Sequence, residues 1–340
     1  MIRIVRAAER YTSDFDWLQA RWLLSFGEYY DPANERLGVL RVFNDDVIQP
    51  GTGFTIHPHR EMEIITVPLQ GEVTHEDSMG NVALIRAGDV QRMTAGTGLT
   101  HSEMNRARQP VHLYQIWIFP SAPGLPPSYD QRSFAPADWL NRLHPVADGR
   151  GRPGVVTLNA DATIWRARIE RGRAVRHATA PDRAVMIYVA SGQVRVGGEP
   201  LADGDQFRAE GEVEVAISAD SNAELILIDV ALALPGACRP ARQYGIAMVH
   251  RMPDLGKITS LVCLGAIADG YLDEIGEFRP GESWSECAAR VAGRTPELAA
   301  WLRDADARWD ILEKATLSGS DSTTSRASPP ARPPQVAPPA

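Results

Sequence analysis

The sequence predicts a mainly-β chain: two barrels in tandem, then a helical appendage and a disordered tail. Three observations carry that expectation. Short apolar runs alternate with glycine turns between Gly51 and Phe119, at the spacing of an all-β barrel or sandwich. The order strand, Gly turn, strand, Gly-Asp turn around Gly71 and Gly88 recurs around Gly192 and Gly204, as it would in a duplicated architecture. After Leu234-Pro235-Gly236 the apolar spacing becomes helical and then disappears.

Along the chain, Met1 to Asp46 reads as short strands and loops, with a strand over Val39 to Val47 leading into the Pro50-Gly51-Thr52-Gly53 turn. Strands are expected over Glu63 to Leu69, Val82 to Arg86 and Val111 to Phe119, with tight turns at Gly80-Asn81 and Ala87-Gly88-Asp89. Pro120 to Pro127 is proline-rich and reads as a linker. The clearest strands of the second block are Val185 to Ala190, Gln193 to Val196 and Leu225 to Val230. These readings divide the chain into an N-terminal barrel (1–125), a C-terminal barrel (126–234), a mostly helical extension (235–316) and a tail (317–340). In the extension, Ser283-Trp284-Ser285-Glu286 is a capping box, and Thr295-Pro296-Glu297 opens a helix. Leu298, Trp301, Leu302, Ala305, Trp309 and Leu312 form its apolar stripe. The tail holds almost no large apolar residues and cannot offset the entropy of ordering.

The bulk properties narrow the function. A formal net charge of −8 argues against nucleic-acid or anionic-membrane binding, which rewards a basic surface. Of 35 basic residues only Lys257 and Lys314 are lysines, a bias that reads as base composition of the genome. Cys238, Cys263 and Cys287 show no C-x-x-C spacing and read as reduced thiols. The N-terminus lacks an apolar signal-type core, and no run of about 18 apolar residues occurs. A cytoplasmic protein is the expectation.

Chemistry concentrates between Gly51 and His112, which holds five of the eight histidines: His57, His59, His75, His101 and His112. His57-Pro58-His59 and His101-Ser102-Glu103 each place two metal-type side chains two residues apart, on one face of a strand. Side by side, such strands bring three imidazoles and one carboxylate together, a donor set suited to Fe, Mn, Ni, Cu or Zn. Pro58 calls for a strand edge or start. On an unbroken strand Glu61 and Glu63 share the face of His57 and His59, so Glu63 competes with Glu103 as the carboxylate. His75 is expected to support the Asp77 to Asn81 turn. Gln91 and Met93 are candidates to flank the cavity. Of His112, Tyr114 and Ile116 against Leu113, Gln115 and Trp117, one set is core and the other faces the pocket; periodicity alone does not say which. The second block contains only His144 and His177, so the cluster is not duplicated.

Gly51, His57, His59, Glu63 and Gly71 follow the first cupin motif with one extra residue. Gly88, Gly98, His101 and Asn105 follow the second more loosely, with two extra residues after Gly88 and Gly96 where many cupins carry proline. The stretches HPHREMEIITVPLQGEVTHEDSMGN and IRAGDVQRMTAGTGLTHSEMN resemble the pirin family of two-barrel cupins. Ser25-Phe26, Tyr29-Tyr30-Asp31 and Leu113-Tyr114-Gln115-Ile116-Trp117 follow its pattern as well. The resemblance covers residues 1–233. It implies tandem cupin (double-stranded β-helix) barrels and one divalent metal, usually Fe(II), held in the first barrel by His57, His59, His101 and Glu103. It favours Glu103 over Glu63, which would then orient a ligand imidazole. Four protein ligands would leave two positions on a six-coordinate ion, as a catalytic site requires. Several bacterial pirins resemble quercetinases, which implies a flavonol-like substrate, O2, and Glu103 as acceptor of the flavonol proton. The alternative implied by eukaryotic pirins is a metal- or redox-sensing regulator that binds a protein partner. An open apolar cavity beside the metal would favour the enzyme.

Overall fold

The structure, a computed structural model, describes residues 2–27, 29–211 and 213–234. The expected helical extension and tail lie outside the described residues. The first half of the chain forms β1 (Ile2–Val5), β2 (Tyr11–Asp14), β3 (Leu18–Trp22), β4 (Leu40–Ile48), β5 (Gly53–His59), β6 (Glu63–Gln70), β7 (Glu72–Asp77), β8 (Val82–Arg86), β9 (Asp89–Thr94), β10 (Leu99–Met104), β11 (Val111–Ile118) and β12 (Ser128–Ser133). The second forms β13 (His144–Asp148), β14 (Val156–Thr157), β15 (Ala162–Ile169), β16 (Ala174–Ala178), β17 (Arg183–Ser191), β18 (Val194–Val196), β19 (Glu199–Leu201), β20 (Gln206–Glu210), β21 (Glu214–Ala219) and β22 (Ala223–Ala231).

Among the described residues these strands build two cupin barrels, each a seven-stranded sheet facing a four-stranded one. The N-terminal barrel has the orders β12-β9-β6-β11-β4-β3-β2 and β5-β10-β7-β8; the C-terminal barrel has β1-β20-β17-β22-β15-β13-β14 and β16-β21-β18-β19. The strand boundaries at Val82 to Arg86 and around Glu63 and Val111 follow the apolar runs closely. The ends of the barrels do not follow chain order. β1 pairs with β20 of the second barrel, and β12, which follows the proline-rich linker, pairs with β9 of the first.

One apolar cluster spans both barrels and a second fills the C-terminal barrel alone. The parity of β4 and β11 explains the difference. Phe43, Asp45 and Tyr114 face the second barrel, where the Phe43 and Tyr114 rings meet Tyr188 edge-on at 5.3 and 5.6 Å. Such pairs contribute roughly 0.5–1.5 kcal/mol each beyond the area they bury. Asp45 accepts hydrogen bonds there from the Tyr188 hydroxyl and from His112 Nε2 (2.6 Å). On the opposite parity, Asn44, Asp46, Gln115 and Trp117 turn into the first barrel and line its cavity.

Candidate metal centre

β5 is an edge strand of the four-stranded sheet, so Pro58 costs no ladder hydrogen bond on its open side. The period of two sends His57 and His59 inward, and the antiparallel register with β10 sets His101 directly across from His57. Between His101 and Glu103 the register shifts by one residue, a bulge that re-aims the side chains on either side. Gly53 makes that approach possible. With φ +151° it lies so close to β10 that a Cβ would sit 2.3 Å from the Glu103 carbonyl oxygen.

The three imidazoles converge. Their ring centroids lie 4.5 Å (His57–His101), 4.8 Å (His57–His59) and 4.9 Å (His59–His101) apart. One ligand atom from each falls within 4.8 Å of the others. All three are buried, and burial drives their pKa values down: His57 to about 4, His59 and His101 well below the ordinary value of 6.5. They are neutral lone-pair donors at physiological pH.

The surroundings select the tautomers. His57 Nδ1 lies 2.6 Å from the Thr55 carbonyl, which can only accept, so Nδ1 carries the proton and Nε2 the lone pair. His75 Nε2 lies 3.1 Å from Asp77 Oδ2, which likewise places the proton on Nε2. His75 Nδ1 is then an acceptor toward His101 Nδ1 at 3.4 Å, and His101 Nε2 is left with its lone pair. That nitrogen is buried without a hydrogen-bond partner. An orphaned, neutral imidazole nitrogen beside two others is a donor set that fits a divalent metal ion.

Glu103 is held on both oxygens. Thr66 Oγ1 donates to Oε1 (2.8 Å) and Gln115 Nε2 to Oε2 (2.6 Å). Burial nevertheless raises its pKa, against the lowering influence of His75 and these two bonds. Glu103 joins the imidazoles through His101: with His75 and His101 it forms a second overlapping group of potential ligand atoms. Among the described residues both groups lie in the N-terminal barrel.

Glu63 does not orient a ligand imidazole, contrary to the expectation above. Its Oε2 accepts from the Asn159 backbone N–H of the second barrel at 2.9 Å and lies 3.9 Å from Arg92. The strand is not continuous: Glu61 adopts φ +51° between β5 and β6, so the parity of His57 and His59 does not carry over to Glu63. Glu61 itself accepts the Gly124 N–H of the linker. His75 does brace the turn through Asp77, whose Oδ1 accepts the Met79 and Asn81 N–H groups, but it also reaches His101. Gln91 and Met93 are buried on β9 and do not line the cavity, because β6 separates β9 from β11 and β4.

Beside the imidazoles lies a narrow, open-mouthed cavity lined by side chains of β3, β4, β5, β10 and β11 and by Phe26. Trp22, Phe26, Phe54 and Trp117 form its aromatic wall, with Trp117 edge-on to His59 at 4.9 Å. Asn44, Asp46 and Gln115 form its polar side. Thr66, Asn44 and Asp46 were not singled out as functional from sequence, and Gln115 only as one of two alternating sets on its strand, since only the pairing of β4, β11 and β6 brings them to one place.

Residues 4–118 match the Pirin family, and residues 146–230 match the quercetinase C-terminal cupin domain. The chain is 39% identical over 231 residues to a quercetin 2,3-dioxygenase of Escherichia coli strain K12, covering 68% of this chain and 99% of that protein. It is 38% identical over 220 residues to a pirin-like protein of Caulobacter vibrioides, covering 64% and 95%. The crystal structure of the bacterial pirin YhhW from Escherichia coli in complex with nickel(II) superposes with a TM-score of 0.64 at 38% identity, covering 68% of this chain and 99% of that one.

Proposed function

Because the chain belongs to the pirin family of two-barrel cupins, we propose that it is a metal-dependent dioxygenase that opens a flavonol ring with O2 and releases carbon monoxide. His57, His59, His101 and Glu103 would hold the ion. The observation that carries this reading is the buried, unpartnered Nε2 of His101, aligned with two other neutral imidazoles at the wall of an aromatic-lined cavity. Neutral imidazole with carboxylate suits Fe(II) and equally Mn, Ni, Cu or Zn. Iron is our choice; nickel is the metal in the complex of the Escherichia coli relative.

When bound, the ion supplies Lewis acidity and a template for substrate and O2. The chain supplies the rest. The Thr55 carbonyl and the Asp77–His75 pair hold His57 and His101 in the tautomers that present Nε2. Glu103 is the base that takes the proton of the flavonol hydroxyl. Thr66 and Gln115 keep its carboxylate in place as it gains that proton. Trp22, Phe26, Phe54 and Trp117 accept the flat rings and exclude water.

The open, aromatic-lined cavity beside the imidazoles favours an enzyme over a metal-sensing regulator that docks a protein. The test is to load the protein with Fe(II) anaerobically, add quercetin and then oxygen, and assay carbon monoxide. Stoichiometric release with loss of the flavonol supports the proposal; oxidation without carbon monoxide, or no reaction, refutes it.

A further inference from the structure

β4 presents two faces with different fates. Asp45 turns outward and is bonded to His112 and Tyr188. Its neighbours Asn44 and Asp46 turn inward, line the cavity, and are 3% and 2% exposed. Asn44 Oδ1 and Asp46 Oδ1 are both buried without a hydrogen-bond partner. Buried polar atoms are normally paired, so two orphans on successive inward positions of one strand, both bordering the same cavity, call for a partner from outside the chain.

Their position says what that partner is. Asn44 lies directly across β4 and β11 from Gln115, which donates to Glu103. A group bound at Asn44 therefore sits on the row that leads to the proposed base. The other side of the cavity is aromatic, through Trp22, Phe26, Phe54 and Trp117. A flat aromatic body fits that wall, and hydrogen-bond donors along its edge fit the orphaned oxygens.

We propose that Asn44 and Asp46 are a specificity-determining pair that binds the hydroxyl groups on one edge of a polyhydroxylated aromatic substrate. The proposal rests on the dioxygenase reading and adds to it a selection for hydroxylation away from the reacting carbon. A site built to hydrogen-bond a substrate hydroxyl discriminates strongly against the analogue that lacks it, because its own polar atoms are then left unpaired.

The experiment compares quercetin with 3-hydroxyflavone, which keeps the reacting hydroxyl and lacks the others. Dissociation constants are measured by tryptophan fluorescence under anaerobic conditions on nickel-loaded protein, and kcat and KM are measured separately in air on iron-loaded protein. Wild type is compared with Asn44→Leu, Asp46→Leu and the shape-preserving Asp46→Asn, each checked for metal content. The ratio of the two dissociation constants is expected to fall about tenfold or more in the leucine variants, with the change in KM exceeding that in kcat, and Asp46→Asn is expected to restore part of the ratio. An unchanged ratio in Asn44→Leu and Asp46→Leu overturns the proposal, and means that water alone satisfies the two oxygens. Wild-type protein that consumes both flavonols equally overturns this pair and leaves the dioxygenase standing; wild-type protein that binds neither overturns both.

Discussion

Gln115 donates from Nε2 to Glu103 Oε2 across 2.6 Å, joining β11 of the seven-stranded sheet to β10 of the four-stranded sheet in the middle of the first barrel. Thr66 on β6 makes the matching bond to Oε1 at 2.8 Å. The carboxylate is thus fixed from one sheet while the imidazoles project from the other.

Removing this support should loosen the carboxylate. Thr66→Val and Gln115→Leu each leave a buried Glu103 oxygen without its donor, at a cost of about 1–3 kcal/mol of stability. Metal affinity should fall about 10–100-fold. Urea unfolding and chelator competition on the same samples measure both; a variant with wild-type affinity would show that Glu103 needs no positioning.

His75 and Asp77 should act on His101 rather than on the ion. His75→Ala removes the acceptor that places the proton on His101 Nδ1, and Asp77→Asn weakens the hold on the His75 tautomer that provides it. Metal affinity should fall by about 10–100-fold in each, with His57 and His59 unaltered in nuclear magnetic resonance spectra of the metal-free protein. Equal affinity for wild type and His75→Ala would mean that the tautomer of His101 is set without it.

The imidazoles give metal-free protein a defined pH response. His57 is held near pKa 4 by burial, against 6.5 unfolded. The depressed folded value means its stabilising contribution is complete above 6.5 and declines as the pH falls from there toward 4, because the unfolded chain takes up the proton first. His59 and His101 shift in the same direction. Denaturation midpoints of metal-free protein should fall across that window, and somewhat less steeply in His57→Gln, where His59 and His101 still contribute. A flat profile in wild type would contradict the burial of neutral imidazoles.

The barrel seam should titrate lower. Burial pushes the Asp45 carboxyl up, but the bond and charge of His112, the Tyr188 hydroxyl and Arg21 outweigh it and hold the group below its ordinary value. Its contribution is therefore present above about pH 4 and lost as the pH falls through the folded value. Asp45→Ala should cost about 1–3 kcal/mol by leaving the buried Tyr188 hydroxyl without its acceptor. Calorimetry that resolves no loss would remove this cluster from the forces joining the barrels.

Much of this was legible in the sequence, for a physical reason. A strand has a side-chain period of two, so His-x-His and His-x-Glu declare a shared face without any knowledge of their neighbours. Cross-strand register has no such local signature. Thr66, Gln115 and Asn44 meet only through the pairing of β6, β11 and β4, and periodicity could not tell the inward face of β11 from the outward one. Glu63 misled because the strand breaks at Glu61, a non-glycine residue at φ +51° that nothing in its composition announces. The exchange of β1 and β12 between barrels is likewise a matter of edge pairing rather than of chain order.

The central claim is that His57, His59, His101 and Glu103 hold a metal ion in the first barrel, and His101→Ala tests it most directly. Elemental analysis after loading with Fe(II) and desalting should find metal in wild type and a strong reduction in the variant, while circular dichroism shows that the barrels remain folded. A folded His101→Ala protein that retains the wild-type metal content would contradict the account.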